Sequence, residues 1–263
     1  MFKKNPFGHY LFLKKWLIRF MGCISHRRYR GFNQLNVEGS DVIRQLPENN
    51  VLFVSNHQTY FADVVAMFHV FNASLSGRND SIKNIGYLWD PKLNIYFVAA
   101  KETMKAGILP RILAYAGSVS IERTWREKGV EIKRQVKMSD ISNIGMALDD
   151  GWVITFPQGT TTPFKPLRKG TAHIIKRYRP IVVPIVIDGF RRSFDKKGIR
   201  IKKRGILQSM EVKPPLKIDY DNESVEFIIE KIQFAIEQHP SFLKVISKDE
   251  LDSEELLNKK REW

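Results

Sequence analysis

Across 263 residues the chain carries one cysteine, Cys23. An intramolecular disulfide is therefore excluded, and so is a thiolate metal cluster. A reducing compartment fits that usage without being demanded by it. No stretch reaches the ~18 uninterrupted apolar residues of a transmembrane helix. Neither an internal repeat nor a low-complexity linker is found. A secretory signal is not expected either, because charge breaks the N-terminal apolar region and no small-residue cleavage site follows it. Carboxylates are scarce: 28 Asp and Glu face 43 Lys and Arg, a net charge of +15. Such an excess implies an anionic partner, which can be nucleic acid, an anionic lipid surface or a phosphorylated substrate. With 43% apolar and 27% charged residues, the chain can still bury a full core.

What is present begins at the N-terminus. Tyr10 to Ile24 is rich in Leu, Phe, Trp and Ile, interrupted by Lys14, Lys15 and Arg19. Tyr10, Leu13, Leu17, Phe20, Met21 and Ile24 recur at helical spacing, and Lys15 and Arg19 fall on another face. His26, Arg27, Arg28 and Arg30 follow directly. This reads as a helix lying in a membrane interface, its cations reaching for phosphate headgroups. The competing reading is an amphipathic helix packed on the protein's own core. Residues 1–31 are accordingly set apart as an interface segment, 32–240 as the main domain and 241–263 as a charged tail.

Strands and helices alternate along the main domain. Strands are expected at Phe32 to Val37, from Val51, at Ile95 to Ala100, at Gly117 to Arg123, at Trp152 to Phe156 and at Ile181 to Ile187. Helical stretches are expected at Asp41 to Leu46, Val64 to Asn72, Ile108 to Ala116, Gly170 to Arg179 and Val225 to Gln238. Arg126 to Asp150 reads as mostly helical. Ser74 to Asp90 reads as irregular, and Arg191 to Pro215 as a basic, weakly alternating region. The alternation predicts an α/β architecture, a mainly parallel sheet flanked by helices.

Val51-Leu-Phe-Val-Ser-Asn-His57 ends a strand at a histidine, and Asp63 follows where a helix can begin. Strand ends in α/β proteins are where ligands bind. A His with a carboxylate in reach can serve as a general base with its orienting partner. It can equally be an ordinary His beside a helix cap.

Three later stretches bear on that choice: Gly117-Ser-Val-Ser-Ile-Glu-Arg123, Phe156-Pro-Gln-Gly-Thr160 and Val183-Pro-Ile185. With Asn56-His57 and Asp63 they resemble, in order and identity, the four blocks of the glycerolipid acyltransferases, which include the 1-acylglycerol-3-phosphate acyltransferases. Lys169-Gly170 follows the third block. The resemblance spans Val51 to Gly189, over half the chain. Two departures stand out. Five residues separate His57 from Asp63 where the family usually has four, so a bulge or wider turn must absorb one. Gln158 stands where the family usually has Glu, which keeps the shape but loses the charge and gains donors.

The resemblance implies transfer of an acyl group from a thioester to a hydroxyl, with 1-acylglycerol 3-phosphate as acceptor and phosphatidic acid as product. The co-substrate is acyl-CoA or acyl carrier protein, and no metal, covalent enzyme intermediate or further cofactor is called for. His57 is then the base and Asp63 its orienting carboxylate. Backbone N–H groups around Gly159 are candidates for the oxyanion. Arg123 matches the family's acceptor-phosphate residue, and a guanidinium grips phosphate in a planar fork. Gln158, Gly159, Thr160, Lys101 and Lys169 are further substrate-binding candidates, and Arg168 is a weaker one for phosphate. His69 and His173 lie outside the blocks and read as structural. The apolar helix after Asp63 reads as core. Expected partners are a phospholipid membrane surface, the acyl donor and the lysolipid acceptor, on the cytoplasmic face. Nucleic acid is not expected, since no recognised motif accompanies the charge and the cations are spread from end to end. Competing readings are an acyltransferase for another lysolipid, motivated by Gln158 and the longer spacing, and a catalytically dead lipid-binding relative, should the inserted residue keep His57 from Asp63.

Overall fold

The computed structural model describes residues 3–105, 107–121, 126–127, 130–131 and 138–243. In chain order they form α1 (Leu11–Tyr29), β1 (Gln34–Glu38), β2 (Val51–Ser55), α2 (Ala62–Leu75), β3 (Ile95–Ala100), α3 (Lys101–Lys105) and α4 (Ile108–Tyr115). Then come β4 (Ser118–Ile121), β5 (Arg126–Glu127), β6 (Val130–Glu131), α5 (Met138–Asp150), β7 (Trp152–Thr155), α6 (Lys169–Tyr178), β8 (Ile181–Asp188), α7 (Phe190–Ser193), β9 (Leu207–Val212) and α8 (Val225–Ala235). Seven strands build one sheet in the order β1-β9-β8-β2-β7-β3-β4, and β5 and β6 pair separately. All neighbours in the large sheet run parallel except β8 and β9, which are antiparallel. The expected α/β class with a mainly parallel sheet is the one found.

Successive side chains of a strand point to opposite faces, so a strand buried on both must be apolar throughout. β2 satisfies this with Val51-Leu-Phe-Val and no exposed residue. Val51 and Phe53 join a core with α2, where Phe53 stacks on Phe71 at 4.3 Å and meets Trp152 edge-on at 5.5 Å. Leu52 and Val54 face a second core closed by α5, α6 and α8 through Ile144, Ile175 and Ile228. Pro184 of β8, which has no N–H to donate, stands just beyond the last antiparallel pair, Ile185 with Val212.

One stretch differs from its expected form. The basic stretch from Arg126 is not helical at its start, where β5 and β6 pair, and its described helix is Met138–Asp150. Gly129 and the β-branched residues Val130 and Ile132 weaken helix propensity in that part. The expected strand at Gly117 is described only through Ile121, so its end at Arg123 lies outside the described residues.

The N-terminal helix forms as expected, and its two faces are both committed. Ile18, Gly22, Ser25 and Tyr29 turn inward. Tyr29 donates from its hydroxyl to Ala62 O at 2.8 Å, tying the helix to the start of α2. Lys14 is also inward and fully buried, with Nζ 3.4 Å from Ile95 O and over the ring of Tyr96. Phe12, Leu13, Trp16, Phe20 and Ile24 remain exposed on the outer face.

Candidate active site

β2 delivers His57 to the C-terminal edge of the sheet. Asn56 fixes the exit of the strand: its Nδ2 donates to Ile187 O at 2.8 Å and its Oδ1 accepts from Ile187 N at 2.8 Å. The chain then bends from Gln58 to Phe61 and enters α2 at Ala62. This bend takes up the fifth intervening residue. His57 Nδ1 lies 2.9 Å from Asp63 Oδ2.

Asp63 is fully buried and its carboxylate is surrounded by donors. Gln58 N donates to Oδ2 at 2.7 Å, Thr59 N at 3.0 Å, and Thr59 Oγ1 donates to Oδ1 at 2.6 Å. A carboxylate accepts only, so Nδ1 carries the hydrogen in its contact with His57. The lone pair is thereby left on Nε2. The imidazole plane is held from one side by Phe156, whose ring stacks at 3.9 Å between centroids and 21° between planes. Among the described residues, then, His57 is a histidine with a fixed tautomer, a fixed plane and an open nitrogen.

A cavity of about 280 Å³ opens at this edge of the sheet. His57, Tyr60 and Phe156 form one wall; Phe97, Val98, Ala99 and Ile121 form another from β3 and β4. Ile141 and Ile144 of α5, and Thr171 and Ile174 of α6, close it. The surface is mainly apolar, with Asp140, Arg168 and His173 among the few polar groups that reach it. A smaller apolar cavity of about 60 Å³ lies beside it, under α1, and shares Val64 and Phe97 with it.

The remaining candidate residues are distributed unevenly. Gly159 lines the cavity in a left-handed conformation, φ +63°, and a Cβ there would sit 2.6 Å from Arg168 Nε. Only glycine both takes this turn and admits the guanidinium. Its N–H donates to Phe156 O at 2.9 Å, so that hydrogen is spent on the turn and is not aimed at an oxyanion. Gln158 is a second correction. Its side chain is buried away from the cavity and donates to Lys165 O and to Gln238 Oε1, both at 3.1 Å. Thr160 folds its hydroxyl back onto Thr162 N at 3.2 Å, a local turn contact outside the cavity wall. Lys169 starts α6 but reaches across the surface to Glu226 at 2.6 Å. Lys101 is exposed at the start of α3, beside the wall residues Ala100 and Met104 without lining the cavity itself. Arg123 lies outside the described residues.

His69 is structural as expected. It is buried between Ser25 Oγ at 2.9 Å and Tyr87 OH at 2.8 Å, and burial pushes its pKa down to about 3. His173 instead lines the cavity from α6. Sequence reasoning passed over Phe156 as a functional residue, though its place at the head of the third block marked it. Thr59 was also passed over, for its partner Asp63 became known only with the bend.

These observations place a histidine oriented by a buried carboxylate at the mouth of an apolar cavity. The family model for acyltransferases matches residues 34–188, more than half of the chain. The chain belongs to the acyltransferase family. The His57, Gly117, Phe156 and Val183 blocks that resemble the glycerolipid acyltransferases all fall inside that span. Among solved structures, the fold is similar to that of the 1-acyl-sn-glycerophosphate acyltransferase PlsC from Thermotoga maritima. The likeness has a TM-score of 0.53 at 17% identity and covers 89% of this chain and 82% of that one. A comparison with curated protein sequences finds no match.

Proposed function

We propose that this acyltransferase moves a fatty acyl group from a thioester, acyl-CoA or acyl carrier protein, to the free hydroxyl of 1-acylglycerol 3-phosphate, giving phosphatidic acid. The observation that carries the reading is the His57–Asp63 contact at 2.9 Å on the rim of an apolar cavity. A hydroxyl is a weak nucleophile near neutral pH, so a base must take its proton as it attacks. His57 Nε2 takes it, and Asp63 stabilises the imidazolium that results. The hydroxyl oxygen bonds to the thioester carbonyl carbon and the carbonyl oxygen gathers the charge. Collapse breaks the carbon–sulfur bond, and the proton passes from Nε2 to the departing thiolate. The apolar wall suits an acyl chain, and Arg168, whose side chain reaches the cavity, suits the acceptor's phosphate with Arg123.

The same reading places the enzyme as a peripheral protein on the cytoplasmic face of a membrane. Phe12, Leu13, Trp16, Phe20 and Ile24 on the outer face of α1 support it, being apolar side chains exposed without a core to cover them. No helix of the described residues is long and apolar enough to cross a membrane.

Neither departure from the family pattern now favours another acceptor. The extra residue between His57 and Asp63 is absorbed in the bend, and the Gln158 side chain does not line the cavity. A panel of lysolipid acceptors with a labelled acyl thioester and purified protein in lipid tests the proposal. Transfer fastest to 1-acylglycerol 3-phosphate is expected, and preference for another lysolipid, or no transfer to any, overturns it.

A further inference from the structure

Between Arg191 and Arg204, eight of fourteen residues are Arg or Lys, and all eight are exposed. A run of this kind is ordinarily a solvated face. Here it is built. Phe194 is buried and bridges to Ile201 in antiparallel fashion, closing a hairpin. Asp195 turns its carboxylate inward to accept from Ile199 N at 2.8 Å and Arg200 N at 2.9 Å, so it closes the turn. Like charges are thus gathered on an ordered element in spite of their repulsion.

The hairpin is also fastened to two other parts of the molecule. Tyr60 N donates to Lys196 O and Phe61 N to Lys197 O, both at 3.1 Å. These two amides belong to the bend that brings Asp63 to His57. Gly198, at φ +75°, packs so close that a Cβ would lie 2.5 Å from Ala62 N. Arg28 near the end of α1 donates from Nη1 to Ile199 O at 2.7 Å. The hairpin therefore abuts both the turn that holds the base and the helix whose outer face is apolar.

We propose that the basic segment 191–204, with the hairpin at its centre, is a docking surface for the anionic headgroups of a bilayer, and that docking steadies the His57–Asp63 turn and so raises turnover. The first half stands on charge and geometry alone; the second rests on the acyltransferase reading above. A bilayer is favoured over nucleic acid by the neighbouring helix, since exposed Phe12, Trp16 and Phe20 gain from hydrocarbon and not from a phosphodiester chain. Phe194, the hairpin's aromatic residue, is buried, so no ring of the hairpin is open for base stacking.

The test uses the full chain and a triple variant, Arg200→Gln, Lys202→Gln and Arg204→Gln, whose folding is checked by thermal melting. Both proteins are sedimented with phosphatidylcholine vesicles, with and without phosphatidylglycerol, over a range of salt. Turnover of a water-soluble short-chain thioester and short-chain lyso acceptor is measured with and without the same vesicles. Affinity for the anionic vesicles should fall on the order of a hundredfold, at roughly fivefold per cation near a negative surface. Binding to phosphatidylcholine alone and turnover without vesicles should be unchanged, and stimulation by anionic vesicles should vanish. A variant that binds anionic vesicles as well as the parent overturns the docking surface. So does a parent that prefers a single-stranded oligonucleotide and loses that preference in the variant. Lost binding with stimulation intact overturns the coupling. If the parent turns over no acceptor and yet the variant loses vesicle binding, the docking surface is supported and it is the reading of the reaction that fails.

Discussion

The side-chain amide of Gln158 donates to Oε1 of Gln238 at 3.1 Å, joining the third block to a residue 80 positions further along the chain. Gln238 Oε1 also accepts from Phe164 N at 3.0 Å. The two amides thus pin the loop that follows Pro157, and they do so because one offers donors where the other offers an acceptor. Glutamate at 158 would point acceptors at Lys165 O and Gln238 Oε1.

Gln158→Glu is therefore expected to destabilise the fold by about 1–3 kcal/mol and to leave the ranking of acceptors unchanged. A buried carboxyl facing acceptors favours its protonated form, so the loss should be smaller at acid pH and grow as pH rises past the ordinary Glu range. Melting curves across pH check this. A stable variant with altered acceptor preference would show that Gln158 reads the substrate after all.

His57→Ala should lower turnover by about 10²–10⁴-fold because the base is lost. Some loss of melting temperature should accompany it, since the His57 side chain is only 10% exposed, stacks on Phe156 and supplies one of the donors to buried Asp63. Asp63→Asn should cost both rate and stability. Its carboxylate accepts from two backbone N–H groups, a hydroxyl and the imidazole, and an amide presents a donor to some of them. Single-turnover rates beside thermal melts separate the two variants. Near-normal transfer by a folded His57→Ala protein sinks the mechanism.

The two faces of α1 should respond differently to substitution. Phe12→Ser, Trp16→Ser and Phe20→Ser together should weaken vesicle sedimentation severalfold or more and leave the melting temperature nearly as it was, since these side chains are exposed. Ile18→Ala should do the reverse, costing about 2–5 kcal/mol as a buried truncation. Deleting the segment to Arg30 is a poor test of membrane binding, because Ile18 and Tyr29 leave the core with it. Unchanged sedimentation of the triple variant would remove α1 from the membrane interface.

Lys14 gives stability a pH dependence. Burial lowers its pKa from 10.5 to about 7, against a smaller raising effect from the Asp150 charge. His9, Tyr96 and Asp150 are the titratable groups around it. Between about pH 7 and 10.5 the unfolded chain holds a proton that the folded chain has released, so stability should rise with pH through that window, at most ~1.4 kcal/mol per unit. Below about pH 7 this contribution is flat. Lys14→Met should remove the slope and raise stability near neutral pH. Chemical denaturation from pH 6 to 10 measures it, and identical slopes in both proteins would contradict the assignment.

Local chemistry made the strands legible from the sequence, because Val51–Ser55, Ile95–Ala100 and Ile181–Asp188 are continuous apolar, β-preferring runs that only a doubly covered sheet can bury. The His57–Asp63 relationship was legible too, since six positions and one bend separate the partners. Side-chain direction was not. Whether Gln158 faced substrate or protein was decided by Gln238, and whether Lys169 faced the cavity was decided by Glu226 on another helix. Even the N-terminal helix, plain from its spacing, could not announce that Lys14 would be buried and Trp16 exposed. Helical period establishes which residues share a face; which face meets the core depends on what the rest of the chain brings against it.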